Sequence, residues 1–272
     1  VEAIHCGGVG GIHMLVKSTG LVESIDDNMH ILKQYRPYHD SDHILNICYN
    51  LLAGGQCLED IKHLRDNPEY LNSMDVERIP DQTTAGDFLR RFTSTDIEQF
   101  MDIVNEIRVK IWMRQSMRFK KIGIINIDAT TEETTGKCKE GTDFSYKGIF
   151  GYAPIIVSLD NTREPLFIEN RSGNTNSAFN AAKWIDKAIA LTKDVFEELW
   201  IRGDTAYAQT ENFDRWSEEN INFVFGYQAR ENLCQIADSI TNWEILERPE
   251  KYTVKTTPRQ KPDNIKKEVI EK

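Results

Sequence analysis

The sequence predicts an α/β fold in which a mixed sheet flanked by helices follows an all-helical N-terminal region. The 272 residues are 40% hydrophobic and 28% charged, a composition typical of a globular chain with a sizeable core. Apolar residues recur at spacings of three and four over residues 9–118, as on the buried face of a helix. From about residue 119, short runs rich in β-branched residues alternate with helical segments, which indicates strands joined through helices.

The helical region divides into several amphipathic segments. Asp40 and Ser41 precede a wide apolar stripe that stops at Gly54, which predicts a helix with a polar start and a glycine end. Thr84 and Asp87 have the spacing of a capping box, with Asp replacing Glu, at the start of a short helix. Further helices are predicted over residues 57–65 and from about residue 95 to residue 111.

The second region has the pattern of a sheet. An isoleucine-rich run over residues 121–127 predicts the first strand, which ends at Asp128. Strands are also predicted over residues 152–159, 165–169, 198–202 and 222–227, and helices over residues 177–193 and 210–219. In an RNase H-like sheet, three antiparallel strands come first along the chain, and each later strand follows a helix. The predicted elements have this order.

These patterns predict three parts of the chain: a helical region over residues 1–118, an RNase H-like core over residues 119–230, and the start of an insertion domain over residues 231–272. After residue 228 the apolar residues show only a weak helix or strand periodicity. Trp243, Ile245 and Leu246 are compatible with the first strand of a β-rich insertion.

Charge and cysteine content restrict the classes of function. The net charge of −10 argues against a general polycationic nucleic-acid coat, but residues 251–272 hold 7 basic and 3 acidic groups, which leaves local binding open. Five cysteines, an odd number without CxxC spacing, favour free thiols in a reducing compartment. No apolar run is long enough to span a membrane and no secretory signal is present, so we expect a soluble, cytoplasmic protein without a membrane partner.

Two aspartates are the strongest candidates for chemistry because each comes directly after a predicted strand. Asp128 follows the first strand, and Asp204 follows the strand that ends before Gly203. Side chains at neighbouring strand ends converge, and two carboxylates held there bind hard divalent cations that can clamp a phosphoryl transfer. The alternative is that each aspartate only caps a turn.

Several segments resemble a known family of enzymes. Residues 126–177, which begin NIDATTEETTG and end ENRSGNTNS, and residues 199–230, which begin LWIRGDTAYAQ, resemble the catalytic core of DDE transposases. The segments PYHDSDHILNICYNLLAGG and RIPDQTTAGDFLRRF resemble the helical region of one group of these enzymes, the insertion-sequence group numbered thirteen-eighty, relatives of insertion sequence four. The resemblance extends over residues 9–272.

This resemblance implies a bacterial insertion-sequence transposase that cleaves and transfers DNA strands in cut-and-paste transposition. It implies a core in which Asp, Asp and Glu hold two Mg²⁺ ions, with Mn²⁺ as a substitute; Asp128 matches the first acid and Asp204 the second. The implied partners are double-stranded DNA, at terminal inverted repeats and at the target, and a second copy of the chain in a homodimeric DNA complex. Residues 1–118 would then bind the DNA ends, and the protein would associate with the nucleoid.

The third acid has no match in the sequence. In the family it is a Glu on a helix after a β-rich insertion, whereas Glu231 follows the last predicted strand too closely. Because the chain begins at Val1 and ends within a helical pattern, we expect a fragment that lacks the C-terminal part. Such a fragment would bind metal poorly and have little or no activity.

Other polar residues are weaker candidates for DNA contact. Arg90 and Arg91 lie in a short helix and would touch phosphates or simply form a solvated face. Arg171 and Asn174 belong to a turn that matches the family, where Arg would approach phosphate; a purely structural turn is an equal alternative. The C-terminal candidates, which suit either a DNA-contacting arm or an exposed linker, are Lys251, Lys255, Arg259 and Lys261.

Three alternative functions stay open on the sequence. The first is a truncated, catalytically inactive transposase that acts only by binding DNA or inhibiting full-length partners. The second is another RNase H-like nuclease, which would cut DNA without inverted repeats. The third is a degenerate remnant without activity.

Overall fold

The computed structural model describes residues 6–34, 37–136 and 138–242. The chain divides into two compact units, Val1–Tyr227 and Gln228–Lys272. In the described part of the first unit, the helical region confirms the prediction for residues 9–118. Its α-helices are Gly8–Thr19 (α1), Leu21–Asn28 (α2), Asp40–Leu52 (α3), Ile61–Arg65 (α4), Pro68–Ser73 (α5), Gln82–Leu89 (α6), Ser94–Met113 (α7) and Met117–Lys120 (α8).

In the helical region, the start of α6 differs from the prediction. Asp81 caps α6, because its Oδ1 accepts a hydrogen bond of 2.9 Å from the Thr84 N–H. Thr84 therefore lies inside the first turn, and the capping box predicted for Thr84 and Asp87 is wrong. A capping box is present instead at α7, where Thr93 and Asp96 bind each other's backbone N–H groups.

The rest of the first unit contains a large sheet, a small sheet and two α-helices. The strands are Ile122–Ala129 (β1), Glu132–Glu133 (β2), Asp143–Phe144 (β3), Phe150–Tyr152 (β4), Ile155–Leu159 (β5), Glu164–Glu169 (β6), Glu198–Gly203 (β7) and Asn222–Phe225 (β8). The helices are Ala181–Thr192 (α9), between β6 and β7, and Phe213–Glu218 (α10), between β7 and β8.

The large sheet has five strands in the order β6-β5-β1-β7-β8. β5 runs antiparallel to both β1 and β6, whereas β7 runs parallel to both β1 and β8. This arrangement confirms the predicted mixed sheet of RNase H-like type. β2, β4 and β3 form a separate three-stranded sheet in the stretch of chain between β1 and β5.

Element boundaries differ from the prediction where local geometry interrupts the pattern. The strand predicted over residues 152–159 is broken at Pro154, which has no N–H to donate. The helix predicted from residue 177 begins only at Ala181, because Asn180 has a φ of 59°. Phe179 consequently precedes the helix and is 58% exposed.

The core lies between the large sheet and α9. Ile125 and Ile127 of β1 are buried and belong to the same apolar cluster as Trp184 and Ile185 of α9. The helical region is joined to this layer through α7, where the buried Asn105 side chain donates a 2.8 Å hydrogen bond to the Leu166 carbonyl of β6.

We expect Ile125→Ala to lower the free energy of unfolding by about 2–5 kcal/mol, because Ile125 is completely buried in the central strand and the shorter side chain leaves a cavity. Ile122→Ala is the matched control on the same strand, since Ile122 is 37% exposed, and we expect a loss of less than about 1.5 kcal/mol there. Urea unfolding measures both values, and equal losses would contradict this account of the core.

The described part of the second unit contains one α-helix, Glu231–Ser239 (α11). Trp243, Ile245 and Leu246, predicted to begin a β-rich insertion, lie outside the described residues. Within the described ranges, the helices are too short or too polar to cross a membrane.

Candidate active site

Asp128 and Asp204 lie side by side at the ends of the two central parallel strands. Ile127 of β1 is level with Gly203 of β7, so the next residue on each strand is also level. Neighbouring strands are about 4.8 Å apart, and level side chains on them point to the same face. Both aspartates are exposed. Asp128 lies within β1, not after it as predicted, but this change of boundary does not alter its position at the strand end.

Backbone hydrogen bonds orient the two carboxylates. Oδ1 of Asp128 accepts from the Ala129 N–H at 2.8 Å. Oδ1 of Asp204 accepts from the Ala206 N–H at 2.8 Å and caps a 3₁₀ turn, Thr205–Tyr207. Asp204 therefore also caps a turn, which was the alternative to a metal site, whereas Asp128 binds only the N–H of its neighbour within β1. Their hydrogen bonds to other described residues use only Oδ1, so this capping leaves Oδ2 of each carboxylate available to a cation.

The two carboxylates line a cleft of about 760 Å³. Among the described residues that line this cleft, Asp128 and Asp204 carry the only negative charges and Lys147 the only positive charge. The remaining lining is small or polar, with hydroxyl and amide side chains such as Thr130 and Asn174. The cleft thus combines a pair of oxygen ligands with space for a polar, extended substrate.

Tyr207 forms part of the wall of the same cleft. Its side chain is 1% exposed, and its hydroxyl has no hydrogen-bond partner among the described residues. Burial raises the pKa of Tyr207, and the nearby charges of Asp128 and Asp204 raise it further, while Arg171 opposes them. Tyr207 is therefore a neutral phenol that retains a proton to donate.

Arg171 is a structural residue of the turn after β6. It is 6% exposed, and its guanidinium donates to the carbonyls of Ala153 at 2.9 Å and Phe179 at 2.8 Å. It also donates to the carbonyls of Asn176 and Ser177. These bonds give Arg171 the structural role that was the alternative in the sequence analysis, whereas its predicted contact with phosphate stays a prediction.

Asn174 lies in the same turn and does reach the cleft. Its side-chain amide donates a hydrogen bond to the carboxylate of Asp143 in β3. Asn174 therefore joins the turn to the small sheet at the edge of the cleft, whereas its predicted contact with DNA stays a prediction.

The other predicted DNA contacts lie away from this cleft or outside the described residues. Arg90 and Arg91 follow α6 and are exposed, and Arg90 forms a 2.8 Å ion pair with Asp87. The predicted C-terminal candidates that lie outside the described residues are Lys251, Lys255, Arg259 and Lys261.

The donor set at the strand ends fits a hard divalent cation, because carboxylate oxygens are the ligands that Mg²⁺ and Mn²⁺ prefer. No group of three or more His, Cys, Asp or Glu side chains suited to a metal occurs in the described part of the chain. The structure therefore brings together the two predicted aspartates, and a third acidic ligand stays a prediction. Glu231, which the sequence analysis judged too close to the last strand to be that ligand, begins α11 in the second unit.

Comparison with known proteins assigns the family. The family model described as Transposase DDE domain group 1 matches residues 6–261. The chain belongs to this family. No curated protein sequence matches this DDE domain closely enough to show a relationship.

Solved transposase structures are similar to this DDE domain at low identity. A piggyBac transposase synaptic complex with hairpin DNA is 10% identical, with a TM-score of 0.40 and coverage of 89% of this chain and 55% of that one. A Drosophila P element transposase strand transfer complex is 16% identical, with a TM-score of 0.32 and coverage of 75% and 43%. A Mos1 mariner paired end complex with Mn is 12% identical, with a TM-score of 0.24 and coverage of 84% and 83%. The chain thus spans about half the length of the first two.

Sequence reasoning missed two residues at the cleft of this DDE domain, Tyr146 and Lys147. They lie between β3 and β4, in a stretch without strong periodicity. One sequence pattern could have indicated a turn here. Ser145, Tyr146 and Lys147 are followed by Gly148 and lie between two phenylalanines, which is typical of a tight hairpin turn.

Proposed function

We propose that this protein is an insertion-sequence transposase, of the group numbered thirteen-eighty, that cleaves DNA strands at the element's ends and joins them to target DNA in an Mg²⁺-dependent reaction. The observation that carries the proposal is that Asp128 and Asp204 each come directly after one residue of the level pair Ile127–Gly203 and line the same cleft, in a chain of a DDE transposase family. Family membership supports the reaction class, and the exposed carboxylate pair supports the site.

In this proposal Asp128 and Asp204 are ligands of the catalytic metal ions, for which Mn²⁺ is a substitute. Bound Mg²⁺ supplies Lewis-acid chemistry, which lowers the pKa of an attacking water and offsets charge on the leaving oxygen. The third ligand is a Glu outside the described residues. Water breaks the bond between phosphorus and the 3′-oxygen at the insertion-sequence end, which leaves a 3′-hydroxyl and a 5′-phosphate. The 3′-hydroxyl then attacks a phosphodiester of the target, forms a new bond to its phosphorus and displaces the target 3′-oxygen, which leaves as a hydroxyl.

The protein's own groups position these reactants. The Ala129 and Ala206 N–H groups hold the carboxylates in place, and Tyr207 keeps its proton at the wall of the cleft. The partners are double-stranded DNA, at terminal inverted repeats and target sites, and a second copy of the chain, because two ends must be held together for joining.

A cleavage assay tests this proposal. The protein, expressed from its whole reading frame, is incubated with labelled duplexes that carry the inverted repeats flanking the gene, or a scrambled repeat, with Mg²⁺ or with EDTA. We expect nicking at the repeat end only with Mg²⁺. Retention of the repeat DNA without cutting would support an inhibitory DNA-binding protein instead, and equal cutting of the scrambled duplex would support a general nuclease.

A further inference from the structure

A short hairpin places an aromatic ring and a positive charge at the mouth of the cleft. β3 pairs with β4 antiparallel, and the connecting turn is closed by the Ser145 N–H, which donates to the Ile149 carbonyl at 2.8 Å. Gly148 has a φ of 76°, a conformation that favours glycine, and its N–H donates to the Ser145 carbonyl. The two residues at the tip of this turn are Tyr146 and Lys147.

The base of the hairpin is fixed against the turn that follows β6. Asn174 donates to the carboxylate of Asp143 in β3, and Tyr152 of β4 forms an isolated bridge with Ser172. Gly173 lies so close to the backbone of β3 and β4 that an added Cβ would clash with the Asp143 carbonyl. Because both sides of its base are held in this way, the hairpin tip has a defined position at the cleft.

Tyr146 and Lys147 have side chains suited to a nucleic-acid strand. The Tyr146 ring is 89% exposed, which leaves its face available for stacking. The Lys147 Nζ lies 5.3 Å from the centre of that ring and is the only positive charge among the described residues lining the cleft. Exposed aromatic rings stack on unpaired bases, while a nearby lysine binds the backbone phosphate.

We propose that Tyr146 and Lys147 form a contact site for the DNA strand being processed, in which Tyr146 stacks on an unpaired base beside the reacting phosphate and Lys147 binds a phosphate of the same strand. This inference rests on the proposed function, since it places the strand in the cleft that holds Asp128 and Asp204. The ligand is an unpaired nucleotide and not the interior of a duplex, because stacking on neighbouring base pairs covers both faces of a base inside a duplex.

Equilibrium binding tests this site without requiring cleavage. Fluorescence anisotropy measures the dissociation constants, at several salt concentrations and in EDTA, for a short duplex with a few unpaired nucleotides at its 3′ end and for the same duplex with a blunt end. We expect wild type to prefer the unpaired end. Tyr146→Ala removes that preference through a loss of about tenfold in affinity, whereas Tyr146→Phe keeps it.

Variants of Lys147 are expected to change affinity in the same titrations in a different way from variants of Tyr146. Lys147→Ala weakens binding of both duplexes and lowers the slope of log K against log salt by about one, and Lys147→Arg restores both. Lys193→Ala, a change of an exposed lysine that does not line the cleft, is the charge control and leaves the slope unchanged. Because Tyr146 is exposed, unfolding midpoints equal to wild type verify that its variants are folded.

The outcomes separate this inference from the proposed function. If Tyr146→Ala binds the unpaired end as wild type does, or if wild type shows no preference, the contact site is wrong even where Mg²⁺-dependent cutting occurs. If the preference depends on Tyr146 but no cutting occurs with any metal, the contact site stands and the proposed reaction fails.

Discussion

Asp128→Asn is expected to lower the rate of Mg²⁺-dependent strand cleavage by about a thousandfold or more, while binding of the DNA end stays within about twofold of wild type. Asparagine has the shape of aspartate and keeps an oxygen to accept the Ala129 N–H, but it lacks the negative charge that holds a divalent cation. Loss of several kcal/mol of transition-state stabilisation corresponds to this change in rate. Asp204→Asn should have the same effect, because Asp204 lies beside Asp128 at the ends of β1 and β7 and lines the same cleft.

A third carboxylate provides the matched control. Asp160 follows β5, and its N–H donates to the Ile124 carbonyl near the opposite end of β1. Asp160→Asn keeps an oxygen for the Asn126 and Arg202 side chains and should leave the cleavage rate within about threefold of wild type. Cleavage by Asp128→Asn at the rate of Asp160→Asn would remove Asp128 from the active site.

Arg171→Ala is expected to have a large effect on stability, a loss of more than about 3 kcal/mol in the free energy of unfolding. The substitution removes a buried guanidinium that binds four backbone carbonyls, and it leaves those of Ala153, Ser177 and Phe179 without a donor, while the Asn176 carbonyl still accepts from the Phe179 N–H. Since the same turn holds the β3–β4 hairpin through Asn174, proteolysis within residues 138–150 should also become faster than in wild type.

Two further variants show whether the stabilisation by Arg171 depends on the geometry of its guanidinium or on its charge. Arg171→Lys keeps the charge but not the forked donor geometry, and should recover less than half of the loss. Arg202→Ala removes an exposed arginine of β7 that is paired with Asp160, and it should lower the free energy of unfolding by less than about 1 kcal/mol. Equal losses for Arg171→Ala and Arg202→Ala would show that the turn does not depend on the buried guanidinium.

The features that could be predicted from sequence depend on local pattern. The isoleucine-rich run before Asp128 and the strand before Asp204 are short apolar stretches with clear ends, and the order of strands and helices limits the sheet to few topologies. Together these patterns were enough to place both aspartates at neighbouring strand ends. The helix stripe that ends at Gly54 was predictable for the same reason.

The features that could not be predicted depend on contacts between residues distant in sequence. Arg171 is structural because the chain folds the carbonyls of Ala153 and Phe179 around it, which no turn motif reveals. Tyr146 lies at the cleft because Gly173, distant in sequence, packs against the base of its hairpin. At α6 the cap was misassigned because Asp81 and Thr84 are both good capping residues, and their spacing alone does not choose between them.

Binding of Mn²⁺, measured by electron paramagnetic resonance, tests the central claim most directly, because it asks whether Asp128 and Asp204 hold a metal and does not depend on cleavage. Wild type, Asp128→Asn, Asp204→Asn and Asp160→Asn are titrated with Mn²⁺ in the presence of the DNA end, and free Mn²⁺ is read from its signal. We predict that each active-site variant loses at least about tenfold in affinity, with Asp160→Asn equal to wild type. Equal affinity in all four proteins would contradict a metal site at the ends of β1 and β7.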